Sequence, residues 1–194
     1  MLDFTLERYD PHYDAIFFPN VSVPHWVRYH WASTYCQNKR VLDIACGTGY
    51  GTNYLSKTAV SVLGVDRDAT TIAHCQQQYP RCQFVRGDAT TFLLKDPVDV
   101  VVSLETIEHI NEVESFLDCV VANLTADGLF ICSTPIAGAA PMSPHHVKEY
   151  KQEEFLALLL QFFGQVSIHT QAMSWLVNDQ KMDQQNLFLL ALCT

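Results

Sequence analysis

Short apolar runs bounded by glycine, proline, aspartate or asparagine recur along this chain and predict its elements. Strands are expected over Val41–Cys46, Val60–Val65, Gln83–Val85, Val98–Leu104, Leu129–Ser133, Gln165–His169 and Asn186–Leu192. Several are continuously apolar, the pattern of a sheet covered on both faces. Between them, helical periodicity predicts Trp26–Cys36, Thr52–Lys57, Ala69–Tyr79, Val113–Leu124 and Gln152–Phe163. Asp68 stands where an N-cap belongs, Pro80 closes the following helix, and Asp127-Gly128 marks a turn. Strands alternating with helices define an α/β domain with a mostly parallel sheet and helices on both faces. The last two strands are separated only by Ala172–Gln185, so they are expected to pair as a long-looped hairpin with the final strand antiparallel. No repeat or linker divides the chain. Residues 1–194 read as one domain, with 1–38 an N-terminal helical or lid segment.

In such sheets ligands bind beyond the carboxyl ends of the strands, where strand order reverses. The first strand runs into Asp43-Ile44-Ala45-Cys46-Gly47-Thr48-Gly49-Tyr50-Gly51. Glycines permit a sharp turn and let a ligand approach the backbone, and the next helix presents free N–H groups. Asp43 before the turn repels a pyrophosphate and attracts an ammonium. Asp66 ends the second strand about 20 residues on, where a carboxylate can accept from ribose hydroxyls. Asp88 follows the third strand and can accept from an adenine amine, and Leu104 ends the fourth beside the same crevice. The cofactor contacts nominated are Asp43, Ala45, Gly47, Gly49, Asp66, Arg67, Asp88, Ala89 and Leu104.

Composition narrows the partners. Twelve basic against 21 acidic residues give a net charge of −9, a poor match for a nucleic-acid backbone and a better one for a small molecule. The seven cysteines form no C-x-x-C pair, which argues against a disulfide framework or structural zinc and fits a reduced, cytoplasmic setting. Met1-Leu2-Asp3-Phe4 lacks signal-peptide features, and no apolar run approaches the roughly 20 residues of a membrane span. Nothing in the sequence specifies an oligomeric state.

The ordered set of strand-end motifs resembles class I S-adenosylmethionine (SAM)-dependent methyltransferases. Val41–Gly51 looks like their first motif, and Gly64-Val65-Asp66 like their ribose-binding position. Gly87-Asp88-Ala89 resembles their adenine-contacting segment and Val98–Ser103 their fourth strand. Leu124–Leu129 is similar to their turn into strand five, with Ala-Asp where Pro-Gly or Pro-Asp is commoner. The resemblance spans roughly residues 26–170. It implies a Rossmann-like, seven-stranded fold with an antiparallel last strand, SAM as cofactor, and methyl transfer. A dinucleotide reductase shares the strand–glycine–helix logic, but Gly47-x-Gly49-x-Gly51 is out of register with G-x-G-x-x-G.

A second cluster follows strand four. Glu105, Glu108 and His109 are spaced i, i+3 and i+4, which puts them on one face of a helical turn. Like charges gathered there invite a divalent cation such as Mg²⁺, Mn²⁺ or Zn²⁺. Ser143–Tyr150 lies beyond strand five and offers His145 or His146. The E-x-x-E-H pattern with a distant His is similar to small-RNA 2′-O-methyltransferases. That resemblance implies Glu105, Glu108, His109 and His146 as ligands of a Mg²⁺-like ion. Ubiquinone-biosynthesis and sugar O-methyltransferases resemble the same region, often with no metal implied. His109 or His146, with Glu108, then acts in catalysis directly, an imidazole serving as general base. The expectation is O-methylation of a small hydroxylated acceptor. The alternatives are metal-dependent RNA 2′-O-methylation and a SAM-binding protein without catalysis.

Three further segments draw attention. The aromatics Tyr9, Tyr13, Phe17, Phe18 and Trp26, with His12 and His25, suit either a lid or a packed edge. Arg28 and Tyr29 are candidates to reach a methionine carboxylate, with no spacing argument behind them. Met142, Met173, Trp175 and Leu176 could line an acceptor pocket.

Overall fold

The computed structural model describes residues 19–138, 143–172, 175–177 and 186–194. The aromatics before Pro19, Met142 and Met173 lie outside these residues. The strands are β1 (Arg40–Ile44), β2 (Ser61–Asp66), β3 (Gln83–Arg86), β4 (Val98–Leu104), β5 (Leu124–Pro135), β6 (Val166–Ala172), β7 (Trp175–Val177) and β8 (Asn186–Cys193). They form one sheet in the order β3-β2-β1-β4-β5-β8-β6-β7. Every pairing from β3 across to β5 is parallel. β8 inserts antiparallel between β5 and β6, as the hairpin expectation requires.

All seven strands expected from the sequence are present. The eighth, β7, falls in the segment expected as a loop and pairs antiparallel with the end of β6. Three residues are too few to leave a periodic signature. The expected turn at Asp127-Gly128 is absorbed into a longer β5. There the register against β4 jumps from Val98↔Leu124 to Val100↔Leu129, so the extra residues bulge out of the ladder.

The helices are α1 (Pro19–Cys36), α2 (Tyr50–Leu55), α3 (Ala69–Gln78), α4 (Val113–Asn123) and α5 (Gln152–Leu159). α1 begins at Pro19, seven residues before the expected start at Trp26, and runs through Pro24. α2 starts at Tyr50, directly on the glycine turn, rather than at Thr52. α5 ends before Phe163, whose ring leaves the helix to stack on Phe130 at 5.5 Å.

Side chains alternate across the sheet. Leu42, Ile44, Val101 and Phe130 pack with Phe116 and Val120 of α4 and Phe155 of α5. Val41, Val62, Val100 and Ile131 pack on the other face with Tyr29 and Ala32 of α1 and Leu55 of α2. Burial of both faces explains the unbroken apolar runs. Among the described residues, no helix is long and apolar enough to cross a membrane.

Candidate functional site

Strand order reverses between β1 and β4. A cavity of about 590 Å³ opens there, over the carboxyl ends of β1 to β4, in the size range of small-molecule sites. Ala45, Gly47, Asp66, Arg67, Asp88 and Ala89 line it, all nominated from sequence. Leu104 lines a smaller adjoining cavity of about 80 Å³. Asp68, Thr90, Asn111 and Glu112 also reach the large cavity. Sequence reasoning missed them, although each follows within a few residues of a nominated position.

The turn after β1 is strained in a directed way. Ala45, Gly47 and Gly49 all have positive φ, at 61°, 53° and 79°. A Cβ at Gly47 would meet nothing within 4 Å, so its missing side chain opens onto the cavity. A Cβ at Gly49 would fall 2.8 Å from Cys75 Sγ and 2.9 Å from the Phe84 ring. Gly49 therefore serves the packing of α3 and β3 rather than the cavity wall, unlike its expected role as a cofactor contact.

Asp66 ends β2 only 9% exposed. Its Oδ2 accepts from the Gly47 N–H at 3.1 Å and its Oδ1 from the Asp68 N–H at 2.9 Å. One carboxylate thus ties the glycine turn to the start of α3. Asp68 caps that helix as expected, accepting from the Thr71 N–H at 2.7 Å. Asp88 accepts twice from Thr90, both times on Oδ1, and these bonds hold its carboxyl below the usual range.

Asp43 departs from the expectation that it meets a ligand ammonium. It is buried beneath the turn and does not line either cavity. Its Oδ2 accepts from the Thr52 hydroxyl at 2.6 Å and its Oδ1 from the Tyr29 hydroxyl at 3.3 Å. Asp43 thereby joins β1 to α1 and α2. Burial pushes its carboxyl up to about 7, against the pull of these two hydrogen bonds. The folded state therefore holds this proton more tightly than the unfolded chain. The associated loss of stability begins as pH rises past about 4 and is complete above about 7. Its size is about 4 kcal/mol. Asp43→Asn keeps the shape without the charge. We expect this variant to unfold at higher denaturant than the parent at pH 8, and to lose most of the parent's decline between pH 4 and 7.

The second cluster is assembled in part. Ligand atoms of Glu108, His109 and His146 lie within 4.8 Å of one another. Glu105, expected with them, turns away: its Oε1 accepts from the Ser133 hydroxyl at 2.6 Å, and Oε2 lies 3.8 Å from Arg28. The reason is local. Ile107–His109 forms a single 3-10 turn, and Glu105 precedes it with φ of 54°, so the i, i+3 face expected for a helix does not extend back to it.

His109 Nδ1 lies 3.3 Å from the His145 carbonyl, and His146 Nδ1 lies 2.6 Å from Glu149 Oε1. The His145 carbonyl only accepts, so His109 donates from Nδ1, and its Nε2 stands 3.9 Å from Glu108 Oε1. The two rings meet edge to face at 4.9 Å. His109 lines the large cavity, whereas His146 stands behind it. Glu108 is buried, and its Oε2 has no hydrogen-bond partner. Burial raises its carboxyl well above the usual range, and Glu105 adds to the rise.

The methyltransferase domain family matches residues 42–132, from β1 into β5. A probable S-adenosylmethionine-dependent methyltransferase of Mycolicibacterium smegmatis is 33% identical over 142 residues, covering 70% of this chain and 55% of that protein. A mitochondrial ubiquinone biosynthesis O-methyltransferase of Bos taurus is 30% identical over 157 residues, covering 68% and 42%. The chain spans about half the length of the curated relatives it matches. Among solved structures, DhpI in complex with SAH superposes with a TM-score of 0.70 at 19% identity, over 94% of this chain and 89% of the other. A S-adenosylmethionine-dependent methyltransferase from Clostridium acetobutylicum gives 0.69 at 13% identity, over 94% and 96%. At these identities the likeness is one of fold.

Proposed function

The chain belongs to the class I SAM-dependent methyltransferases, and from that premise we propose that it methylates an oxygen of a small hydroxylated acceptor. The observation that carries this reading is His109. It lines the cavity that also holds Gly47, Asp66 and Asp88, with Nδ1 against the His145 carbonyl and Nε2 3.9 Å from Glu108 Oε1. Asp66 and Asp88 would hold the donor's ribose and adenine, and His109 lines the same cavity as a base for the acceptor hydroxyl. The acceptor oxygen attacks the methyl carbon in line with the sulfur. The C–S bond breaks, its electron pair neutralises the sulfonium, and His109 Nε2 takes the hydroxyl proton. Holding both reactants in one cavity supplies much of the rate. The Bos taurus relative named as an O-methyltransferase supports an oxygen acceptor, and the net charge of −9 works against an RNA acceptor.

A second reading has its own observation. Glu108 Oε2 is buried without a partner, and ligand atoms of Glu108, His109 and His146 lie within 4.8 Å of one another. A carboxylate with two imidazoles is a donor set for Mn²⁺ or Zn²⁺, and less so for Mg²⁺. Glu149, bonded to His146, would orient that ligand. A bound cation would polarise the acceptor hydroxyl.

Turnover of methyl-labelled SAM against a panel of phenols, sugars and aliphatic alcohols tests the function. Labelled methyl ethers are expected. No turnover with SAM binding intact would make this a binding protein instead. Repeating the assay after exhaustive chelation separates the two readings. Undiminished activity leaves His109 as base; a loss restored by Mn²⁺ or Zn²⁺ selects the cation.

A further inference from the structure

Residues 143–151, between β5 and α5, run as a strap across the 3-10 turn that carries Glu108 and His109. Backbone bonds fasten it there. The N–H groups of Val147 and Lys148 both donate to the Glu108 carbonyl, at 2.7 and 3.2 Å. Near its far end Tyr150 is buried in the core, and its carbonyl accepts from the Ala137 N–H at 2.9 Å. Within the strap, the peptide joining His145 to His146 is one rigid plane. Its carbonyl meets His109 Nδ1 at 3.3 Å, and its N–H donates to the Ser143 carbonyl at 3.3 Å. The next atom along, the His146 Cα, bears a ring held at Nδ1 by Glu149 Oε1, 2.6 Å away. The side chains of His146 and Glu149 are 9% and 6% exposed, against 30% for His109.

We infer that Glu149 is a positioning residue for His109, acting through His146 and the peptide plane before it. A side-chain acceptor could follow the His109 ring by changing rotamer. A backbone carbonyl goes only where the chain goes, so the torsions on either side of the 145–146 peptide set the direction of His109. The His146 ring, locked by Glu149, fixes one side of that plane. The Val147 and Lys148 bonds to the Glu108 carbonyl carry the restraint onto the turn that bears His109. Stability alone does not account for the pair, because taking a carboxylate and an imidazole out of water offsets most of their attraction. A short bond between two buried side chains fixes direction instead. A reacting group displaced by about 1 Å loses roughly 100-fold in rate. Neither Glu149 nor His146 lines the cavity, so both act on the chemistry through the ring in front of them.

This role rests on His109 being the base, and two readouts keep the two ideas apart. Long-range ¹H–¹⁵N spectra of the full chain read which ring nitrogen of His109 carries the proton. In the parent it is expected on Nδ1. In Glu149→Ala it is expected to divide between Nδ1 and Nε2. The same variant is expected to lower kcat about 10- to 100-fold, with SAM affinity unchanged. The acceptor for that measurement is the best of the phenols, sugars and aliphatic alcohols. Glu149→Gln keeps an oxygen for His146 Nδ1 and is expected to restore the spectrum and most of the turnover. A Glu149→Ala protein with the parental spectrum, or with parental kcat, would overturn the positioning role and leave His109 as base. So would a Glu149→Gln protein that turns over slowly with its His109 proton divided, a result that decides the matter even where the alanine variant fails to fold. Turnover by the parent that requires added Mn²⁺ or Zn²⁺ would make His146 a ligand and overturn the role as well. No turnover of any acceptor by the parent, or full turnover by His109→Gln, overturns the base reading, and the positioning role with it.

Discussion

Replacing His109 with Gln is expected to lower kcat for methyl transfer 100- to 10,000-fold, the range for a positioned general base, with SAM affinity unchanged. Gln preserves the size of the side chain and its contact with the His145 carbonyl but removes the basic Nε2. That carbonyl orients the ring through a 3.3 Å contact at Nδ1, on the wall of the cavity and with Nε2 3.9 Å from Glu108 Oε1. His146 provides the internal comparison. It touches His109 but stands behind the cavity wall, with Nδ1 committed to Glu149. If His109 acts as base, His146→Gln produces the smaller loss. Losses at Glu108 and His146 as large as that at His109 would identify all three as ligands of one cation. Full turnover by His109→Gln would remove it from the chemistry. Single-turnover measurements at saturating SAM give the answer directly, because they exclude product release.

Gly51→Ala and Gly47→Ala should fail in opposite ways. A Cβ at Gly51 would fall inside the Tyr29 ring. That ring is 5% exposed, packs edge to face on Tyr50 at 5.2 Å, and bonds Asp43 through its hydroxyl. It has nowhere to retreat without breaking the link between α1, β1 and α2. The expected loss is about 3 kcal/mol, at the upper end of the overpacking range, seen as a fall in Tm of roughly 6–12 °C. Gly47 differs because nothing lies within 4 Å of its missing Cβ. Gly47→Ala meets only the strain of φ near +53°, about 1 kcal/mol, so it should fold and then bind SAM poorly. Thermal unfolding and calorimetry on both variants check the pair. A Gly51→Ala protein as stable as the parent, or a Gly47→Ala protein with parental SAM affinity, would contradict the assignment of one glycine to packing and the other to the cavity.

These two glycines show how legible the site was in sequence. The turn itself could be read, because its composition and place after an apolar strand are local facts. Which glycine faces the ligand could not, since that depends on where Tyr29, Cys75 and Phe84 arrive from distant parts of the chain. The same division holds for the acidic residues. Asp66 and Asp88 reach the cavity as expected because each sits at a strand end, where the backbone aims the side chain into the crevice. Asp43 sits one residue inside β1, and the strand's alternation turns it toward α1 and α2 instead.

The sequence by itself determined seven of the strands, the sites of the helices, the motifs at the strand ends and the resemblance to methyltransferases, while the strand order that puts the crevice between β1 and β4 came from the fold. Periodicity, turn residues and strand-end carboxylates are properties of neighbours along the chain, and neighbours suffice to specify them. Only the tertiary structure decided what the remaining charges do. It separated Glu105 from Glu108, because a 3-10 turn and a positive φ replaced the helix that i, i+3 spacing assumes. It set His146, which the resemblance grouped with His109, edge to face against that ring at 4.9 Å. It also set Arg28, from a helix before the first strand, 3.8 Å from Glu105. Such pairings are fixed by the packing of helices on a shared sheet, and spacing along the chain carries no record of them.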